Sequence, residues 1–202
     1  MVNGMKGMNC FDNMWPSRGS SCAYVQAARC LRRATLLYCD LQLMQIRIDH
    51  ARPDDAPIIA QMVGELLREI MMLVETKTFG FHQEETETRA RSWIVDGKYS
   101  VVLARDRVQP EPLGFLALYE SFALYTEGTY GTIPEFYVRP AHRSKGVGAA
   151  LMGVAKQLGQ SRGWRRLEVT TPPLPQFDRT LAFYQREGFS ISGGRKLKLE
   201  WS

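Results

Sequence analysis

The segment Val138-Arg139-Pro140-Ala141-His142-Arg143-Ser144-Lys145-Gly146-Val147-Gly148-Ala149-Ala150-Leu151 decides how this chain reads. An apolar run, Ile133 to Val138, passes through Pro140 into a basic turn with two glycines one residue apart. A helix-forming run, Ala149 to Leu158, follows. A strand, a glycine turn and a helix in that order leave the first helical N–H groups without intrahelical partners. Together with the positive end of the helix dipole, those groups form a site for a phosphate or pyrophosphate. On this reading a side chain at Gly146 or Gly148 would hold the anion away from the backbone. Taken alone, Arg143-Ser144-Lys145 could equally be a solvated basic turn.

Composition bounds what surrounds this turn. With 202 residues and 45% hydrophobic content the chain can bury one sizeable core, as a single domain. The formal charge of +5 suits an anionic ligand without establishing one. Residues 1–43 carry five Lys/Arg against two Asp/Glu, leaving an excess of only +2 for the remainder. Basic residues nowhere form a dense patch with interleaved aromatics, which argues against nucleic-acid binding. Nor does any run approach the ~18 apolar residues a bilayer span needs, so the expectation is a soluble, cytoplasmic protein away from membranes. Cys10, Cys22, Cys30 and Cys39 are the only cysteines. Their spacing fits neither a paired metal site nor a disulfide scaffold, and a thiol nucleophile is excluded from the rest of the chain. No metal-ligand cluster is present in the sequence, so no metal is expected.

Residues 1–43 read as a non-domain leader, with Met44 as an alternative start. The segment lacks the apolar run of a secretory signal, although it is basic and acid-poor enough for an organelle presequence. Regular patterning begins at Gln45 to Ala51, a strand with Ile46 and Ile48 on one face. Pro53-Asp54-Asp55 opens a helix whose apolar stripe is Ile58, Ile59, Met62, Val63, Leu66, Leu67 and Ile70. A second helix is expected over Gln83 to Val95, then strands over Tyr99 to Ala104, Leu113 to Tyr125 and Thr132 to Val138. The helix after the glycine turn stops at Gly163. Arg166 to Thr170 reads as a strand and Asp178 to Glu187 as a helix. Phe189 to Ser192 and Lys196 to Trp201 read as a closing pair of strands. The order β-α-α-β-β-β-α-β-α-β-β predicts an α/β (α+β) domain over 44–202, with a mixed sheet and helices on both faces.

This order, with these residues at these places, resembles the GNAT superfamily of acyl-CoA-dependent N-acetyltransferases. The family motif Arg/Gln-x-x-Gly-x-Gly/Ala stands here as Arg143-Ser144-Lys145-Gly146-Val147-Gly148, preceded by Val138-x-Pro140. Glu135 precedes it on the strand, where members often carry an acid. Ala182-Phe183-Tyr184-Gln185-Arg186-Glu187-Gly188-Phe189 is similar to the family's Phe-Tyr-x-x-x-Gly-Phe ending. The chain departs from the family before its last helix, where Pro175-Gln176-Phe177-Asp178 stands in place of a common Asn. Pro134 interrupts a central strand, a place that normally excludes it. The family's strand is bulged there, and a bulge needs no donor.

The resemblance implies a mostly antiparallel sheet of about 6–7 strands with a splayed parallel pair at its centre. It also implies acetyl-CoA as donor and a primary amine of a small molecule or peptide as acceptor, joined by direct attack in a ternary complex. Backbone N–H groups from Arg143, Ser144, Lys145, Gly146, Val147, Gly148 and Ala149 would hold the pyrophosphate, with Arg143 and Lys145 adding charge. The pantetheine arm would pair with backbone at Tyr137 and Val138. Glu135 is the expected base, acting directly or through water, and Tyr184 the expected proton donor to the departing thiolate. Their plainer roles are a salt-bridge acid and a core aromatic. Glu120, Tyr125 and Glu127, with Tyr119 and Tyr130 nearby, stand where acceptor pockets form in the superfamily. Acids among aromatics suit a cationic amine, though an exposed hairpin with solvated acids would read the same. Many members are homodimers. The rival reading is a non-catalytic acyl-CoA-binding or sensing module.

Overall fold

The computed structural model describes residues 46–75, 79–107, 111–126, 128–192, 197 and 199. The expected leader at 1–43, Glu127 and most of the expected strand Lys196 to Trp201 lie outside the described residues.

Six strands form one sheet. β1 (Ile46–His50) pairs antiparallel with β2 (Ser100–Asp106), and β2 with β3 (Pro112–Ala123). The first half of β3 pairs with β5 (Phe136–Val138) and its second half with β4 (Gly128–Ile133), both antiparallel. β4 then pairs with β6 (Leu167–Val169), the one parallel contact among the described strands. Among the described residues four α-helices flank the sheet: α1 (Ala56–Val74), α2 (Gln83–Val95), α3 (Val147–Ser161) and α4 (Asp178–Arg186).

The strand alternation dictates the two layers. Val101, Leu103, Phe115, Ala117 and Tyr137 turn to one face, where Ile59 and Met62 of the α1 stripe cover them. Val102, Leu116 and Leu118 are buried on the opposite face, against which α3 packs Val147, Leu151, Met152 and Ala155. β2 and β3 are thus covered on both sides, which explains their near-continuous apolar runs. Phe115 is fully buried at the centre, so truncating it to Ala would cost roughly 3–5 kcal/mol. At the start of α1, the Arg52 N–H donates to Asp55 Oδ2 at 2.8 Å, tying off one of the N-terminal donors.

The expected strand Thr132 to Val138 is in fact two. Between the pairs Tyr119↔Thr132 and Leu116↔Phe136, β3 supplies Ala117 and Leu118. The other side supplies Ile133, Pro134 and Glu135. One extra residue against the same partner is a β-bulge, and Pro134 sits in it. Hence the missing donor of Pro134 breaks no ladder bond. The bulge also turns the chain: β4 reaches β6 through Gly131, Thr132 and Ile133, while β5 has no partner on that side among the described residues. Phe189 to Ser192, expected as a strand, is not one. The Phe189 N–H is instead spent on the Tyr184 carbonyl at 2.9 Å, closing the end of α4.

Candidate active site

The bulge creates the site's open edge. The Ala117 N–H donates to the Glu135 carbonyl at 2.9 Å and the Arg139 N–H to the Leu113 carbonyl at 2.9 Å. With the register of Tyr137 on Phe115, these bonds set the alternation of an antiparallel ladder. Glu135, Tyr137 and Arg139 turn their backbone groups to β3, whereas Phe136 and Val138 turn theirs into the gap toward β6. The polar groups of Tyr137 thus face Phe115, and those of Phe136, beside Val138, have no partner among the described residues. The Val138 carbonyl accepts from Arg143 Nε at 2.8 Å, and its N–H, turned into the gap, has no partner among the described residues.

Glu135 stands at the head of this gap. Its side chain is half-buried on the α1 face, and burial pushes its carboxyl up to about 7. The hydroxyl of Tyr99 donates to its Oε2 at 3.3 Å and works in the opposite direction, favouring the carboxylate. Tyr99 stacks on Tyr119 with ring centroids 5.8 Å apart and tilts against Trp93 at 5.0 Å.

At the other end of β5 a 3-10 turn, Pro140–His142, leads into the glycine turn. Among the described residues no group accepts from the backbone N–H of Ser144, Lys145, Gly146, Val147, Gly148 or Ala149, and the first helical bond runs from the Ala150 N–H to the Gly146 carbonyl. That run of free donors at the N-terminus of α3 can hold an anion of pyrophosphate size. The Arg143 N–H is not part of it, because it donates to the Pro140 carbonyl at 3.3 Å. The guanidinium of Arg143 is also turned away. It lies on the carboxylate of Glu69 in α1, with Nη1–Oε1 at 2.8 Å and Nη2–Oε2 at 2.6 Å, and over the Tyr137 ring. Lys145 is exposed and makes no ion pair among the described residues. His142 is held below its ordinary range by burial and by nearby Lys145 and Arg139, so it stays neutral at pH 7. Lys145 thus carries the turn's available positive charge.

The two glycines serve different ends. Gly146 has φ of +84° with open space around it, a backbone conformation that side chains resist. Gly148 has ordinary helical geometry, and a Cβ there would come within 3.3 Å of Phe183 and 3.5 Å of Phe136. Its glycine lets α3 sit against those rings. To the expectation that a Gly148 side chain would obstruct the anion, the structure adds this packing requirement.

Phe136 bridges the turn to α4. Its ring lies 5.6 Å from Phe183 and 6.2 Å from Tyr184. Tyr184 is buried, with Phe189 on its other side, and burial raises its phenol above the ordinary value. No group among the described residues hydrogen-bonds its hydroxyl. Since Phe136 and Glu135 alternate along the chain, Tyr184 and Glu135 approach the gap from opposite faces of the sheet.

The acceptor residues expected from sequence do not gather with them. Glu120 alternates with Tyr119 and faces the other way, where its Oε2 accepts from the Trp164 indole at 2.6 Å. Tyr125 is exposed and, with Tyr130, sandwiches the Arg166 guanidinium at 5.2 and 4.8 Å. Both are hairpin supports, while Glu127 lies outside the described residues. A groove of about 550 Å³ does open on the α1 side beside Tyr137 and Arg143.

The sequence profile of the acetyltransferase (GNAT) family matches residues 65–189, well over half of the chain. The chain belongs to the GNAT acetyltransferase family. Comparison with curated proteins gives no match. Among solved structures, the GNAT domain is similar to integron cassette protein HFX_CASS3 from the mobile metagenome of Cole Harbour Salt Marsh (24% identity, TM-score 0.62). That alignment covers 77% of this chain and 90% of the other. It is also similar to a ribosomal-protein-alanine N-acetyltransferase from Brucella melitensis biovar Abortus 2308, at 19% identity and TM-score 0.57 over 77% and 99% of the two chains. A third is aminoglycoside acetyltransferase meta-AAC0020 from an uncultured soil metagenomic sample, at 18% identity and TM-score 0.57 over 78% and 95%. At these identities the likeness is one of fold. Acetyl transfer is the chemistry of the family. Sequence reading misses Tyr99 and Trp93, because nothing in the segment Trp93 to Tyr99 indicates that α2 and β2 deliver their aromatics to Glu135.

Proposed function

We propose that this GNAT domain is an N-acetyltransferase that moves an acetyl group from acetyl-CoA to a primary amine by direct attack in a ternary complex. The observation that carries the reading is Glu135, a half-buried carboxyl pushed up to about 7 beside an unpaired strand edge. An alkyl ammonium titrates near ~10, so attack at neutral pH needs a base that can take its proton. A carboxylate tuned close to the working pH does this well, directly or through one water. Glu135 takes one proton from the ammonium, directly or through water, and the freed lone pair of nitrogen then bonds to the thioester carbon. A second N–H proton leaves to solvent as the carbon–sulfur bond breaks and the thiolate departs. The free N–H of Val138 faces the gap and would receive the oxyanion formed between those events. The hydroxyl of Tyr184 would return a proton to the sulfur. Burial keeps the phenol protonated at neutral pH, so its proton is in place when the thiolate forms.

The free N–H groups from Ser144 to Ala149 fit the pyrophosphate of acetyl-CoA, with Lys145 as the cation that steers it. Two of the solved neighbours are named for acetylating an aminoglycoside and a ribosomal-protein alanine. Both names support an amine acceptor, a small molecule or a peptide. The test is free-thiol release from acetyl-CoA across polyamines, amino acids, aminoglycosides and N-terminal peptides. Amine-dependent release that Glu135→Gln abolishes supports the reading. Tight acetyl-CoA binding with no release for any amine would make the domain an acyl-CoA sensor instead.

A further inference from the structure

We propose that Tyr99 is the positioning residue for Glu135: it fixes the carboxylate by its hydroxyl and thereby sets the pH at which the base works. The inference rests on the reading of Glu135 as base and goes beyond it. Tyr99 is held on several sides. Its N–H donates to the Trp93 carbonyl at the end of α2 at 3.1 Å, its ring leans on Trp93, and Tyr119 stacks on it with the planes 8° apart. With the ring so fixed, the hydroxyl has a set direction, and it meets Oε2 of Glu135 at 3.3 Å.

The surroundings keep this contact simple. Among the described residues the titratable groups facing the pair are Tyr99 itself, just before β2, and Tyr119 from β3; no Lys, Arg or second carboxylate bears on Glu135. Burial and the neighbouring carboxyl raise the Tyr99 phenol far above its ordinary range. Tyr99 therefore remains a donor at every pH where the enzyme could work and never competes as a base. A donor to a carboxylate favours its charged form. Tyr99 thus offsets part of the desolvation that pushes Glu135 up, and it keeps the base ionised nearer neutrality.

The test is the dependence of kcat on pH at saturating amine and acetyl-CoA. In the native enzyme we expect an acid limb with its midpoint near 7, where burial places the ionisation of Glu135. Tyr99→Phe keeps the ring and removes the donor. We expect the midpoint to rise by about one pH unit, kcat at pH 7 to fall about five- to tenfold, and the rate at pH 9 to return to within about twofold. The KM for acetyl-CoA should be unchanged. Incorporating 3-fluorotyrosine at position 99, a more acidic donor of nearly the same shape, should move the midpoint the other way. A rate lowered equally at all pH values, or a midpoint that neither variant moves, overturns the role of Tyr99. Glu135→Gln retaining both the rate and the acid limb would instead overturn Glu135 as base, whatever Tyr99 does.

Discussion

The guanidinium of Arg143 lies flat against the carboxylate of Glu69, with paired contacts of 2.8 and 2.6 Å, while its Nε holds the Val138 carbonyl at 2.8 Å. One turn earlier on α1, Glu65 receives Arg139 in the same two-pronged way, both contacts at 3.1 Å. Residues four apart on α1 therefore grip residues four apart on the chain between β5 and α3. This clamp fixes the glycine turn to the helix layer, and it consumes the charge that sequence assigns to the anion. Two variants separate the functions. Arg143→Ala should cost about 1 kcal/mol of stability, since the pair is partly solvated, and should raise the KM for acetyl-CoA no more than about twofold. Lys145→Ala should leave stability within about 0.5 kcal/mol and raise that KM severalfold, with the difference shrinking at high salt. Thermal melts and KM values at two ionic strengths check both.

Glu135 should be a functional residue that destabilises its own fold. The folded state holds its proton up to about 7, whereas an ordinary glutamate releases it near 4.5. Between those values the folded protein binds more protons than the unfolded chain, so stability falls as pH rises through the window. Above pH 7 the charged side chain is a net cost. The full shift would convert to more, but the partial exposure of its side chain brings the figure to about 1–2 kcal/mol. Glu135→Gln should therefore abolish turnover yet raise unfolding free energy by that amount at pH 8, with little change at pH 4.5. Chemical denaturation of both proteins at the two pH values reads it directly. Equal stability at pH 8 would mean that the carboxyl is solvated and its pKa ordinary.

Glu120 and Gly131 belong to the packing of the β3–β4 hairpin. A Cβ at Gly131 would fall inside the indole of Trp164, whose N–H is held by Glu120 at 2.6 Å. Gly131→Ala must move a ring that is almost fully buried and should cost about 2–3 kcal/mol. Glu120→Ala removes one partner of a charge-assisted bond at the surface and should cost about 1 kcal/mol. Neither variant should change the KM for amine beyond about twofold. A large rise in that KM for Glu120→Ala would return Glu120 to the acceptor site.

These residues also mark how far the sequence can be read. The glycine turn, the helices and most strands are legible because their signals are local: alternation in β2, the stripe of α1, the glycines ahead of α3. Pro134 discloses the bulge for the same reason, since a central strand tolerates proline only where its ladder needs no donor. Pairings between distant segments leave no local mark. Nothing in the sequence aims Arg143 at Glu69, and residues 74 positions apart share no period. Glu120 reads as a site acid because its neighbours are tyrosines. Alternation along β3 decides the matter, turning Tyr119 toward Glu135 and Glu120 toward Trp164.

Gly146 and Gly148 test the site from both sides of the turn. Sequence treats them alike, but the first is demanded by a φ of +84° and the second by contact with Phe183 and Phe136. Gly146→Ala forces a side chain into left-handed backbone at about 1 kcal/mol, and it does so beside the free N–H groups. Its effect should fall on the KM for acetyl-CoA, with kcat nearly intact. Gly148→Ala keeps its helical backbone, gains helix propensity, and pushes a methyl to 3.3 Å from the Phe183 ring. The ring must give by a few tenths of an ångström, and Tyr184, edge-on to Phe183 at 5.6 Å, moves with it. Here kcat should fall by roughly three- to tenfold, because small displacements of the proposed proton donor are felt in the rate, while the KM for acetyl-CoA changes less. Initial-rate kinetics on the two alanine variants decide it. If both raise KM alike and leave kcat alone, a side chain at Gly148 obstructs the anion and Phe183 does not position Tyr184.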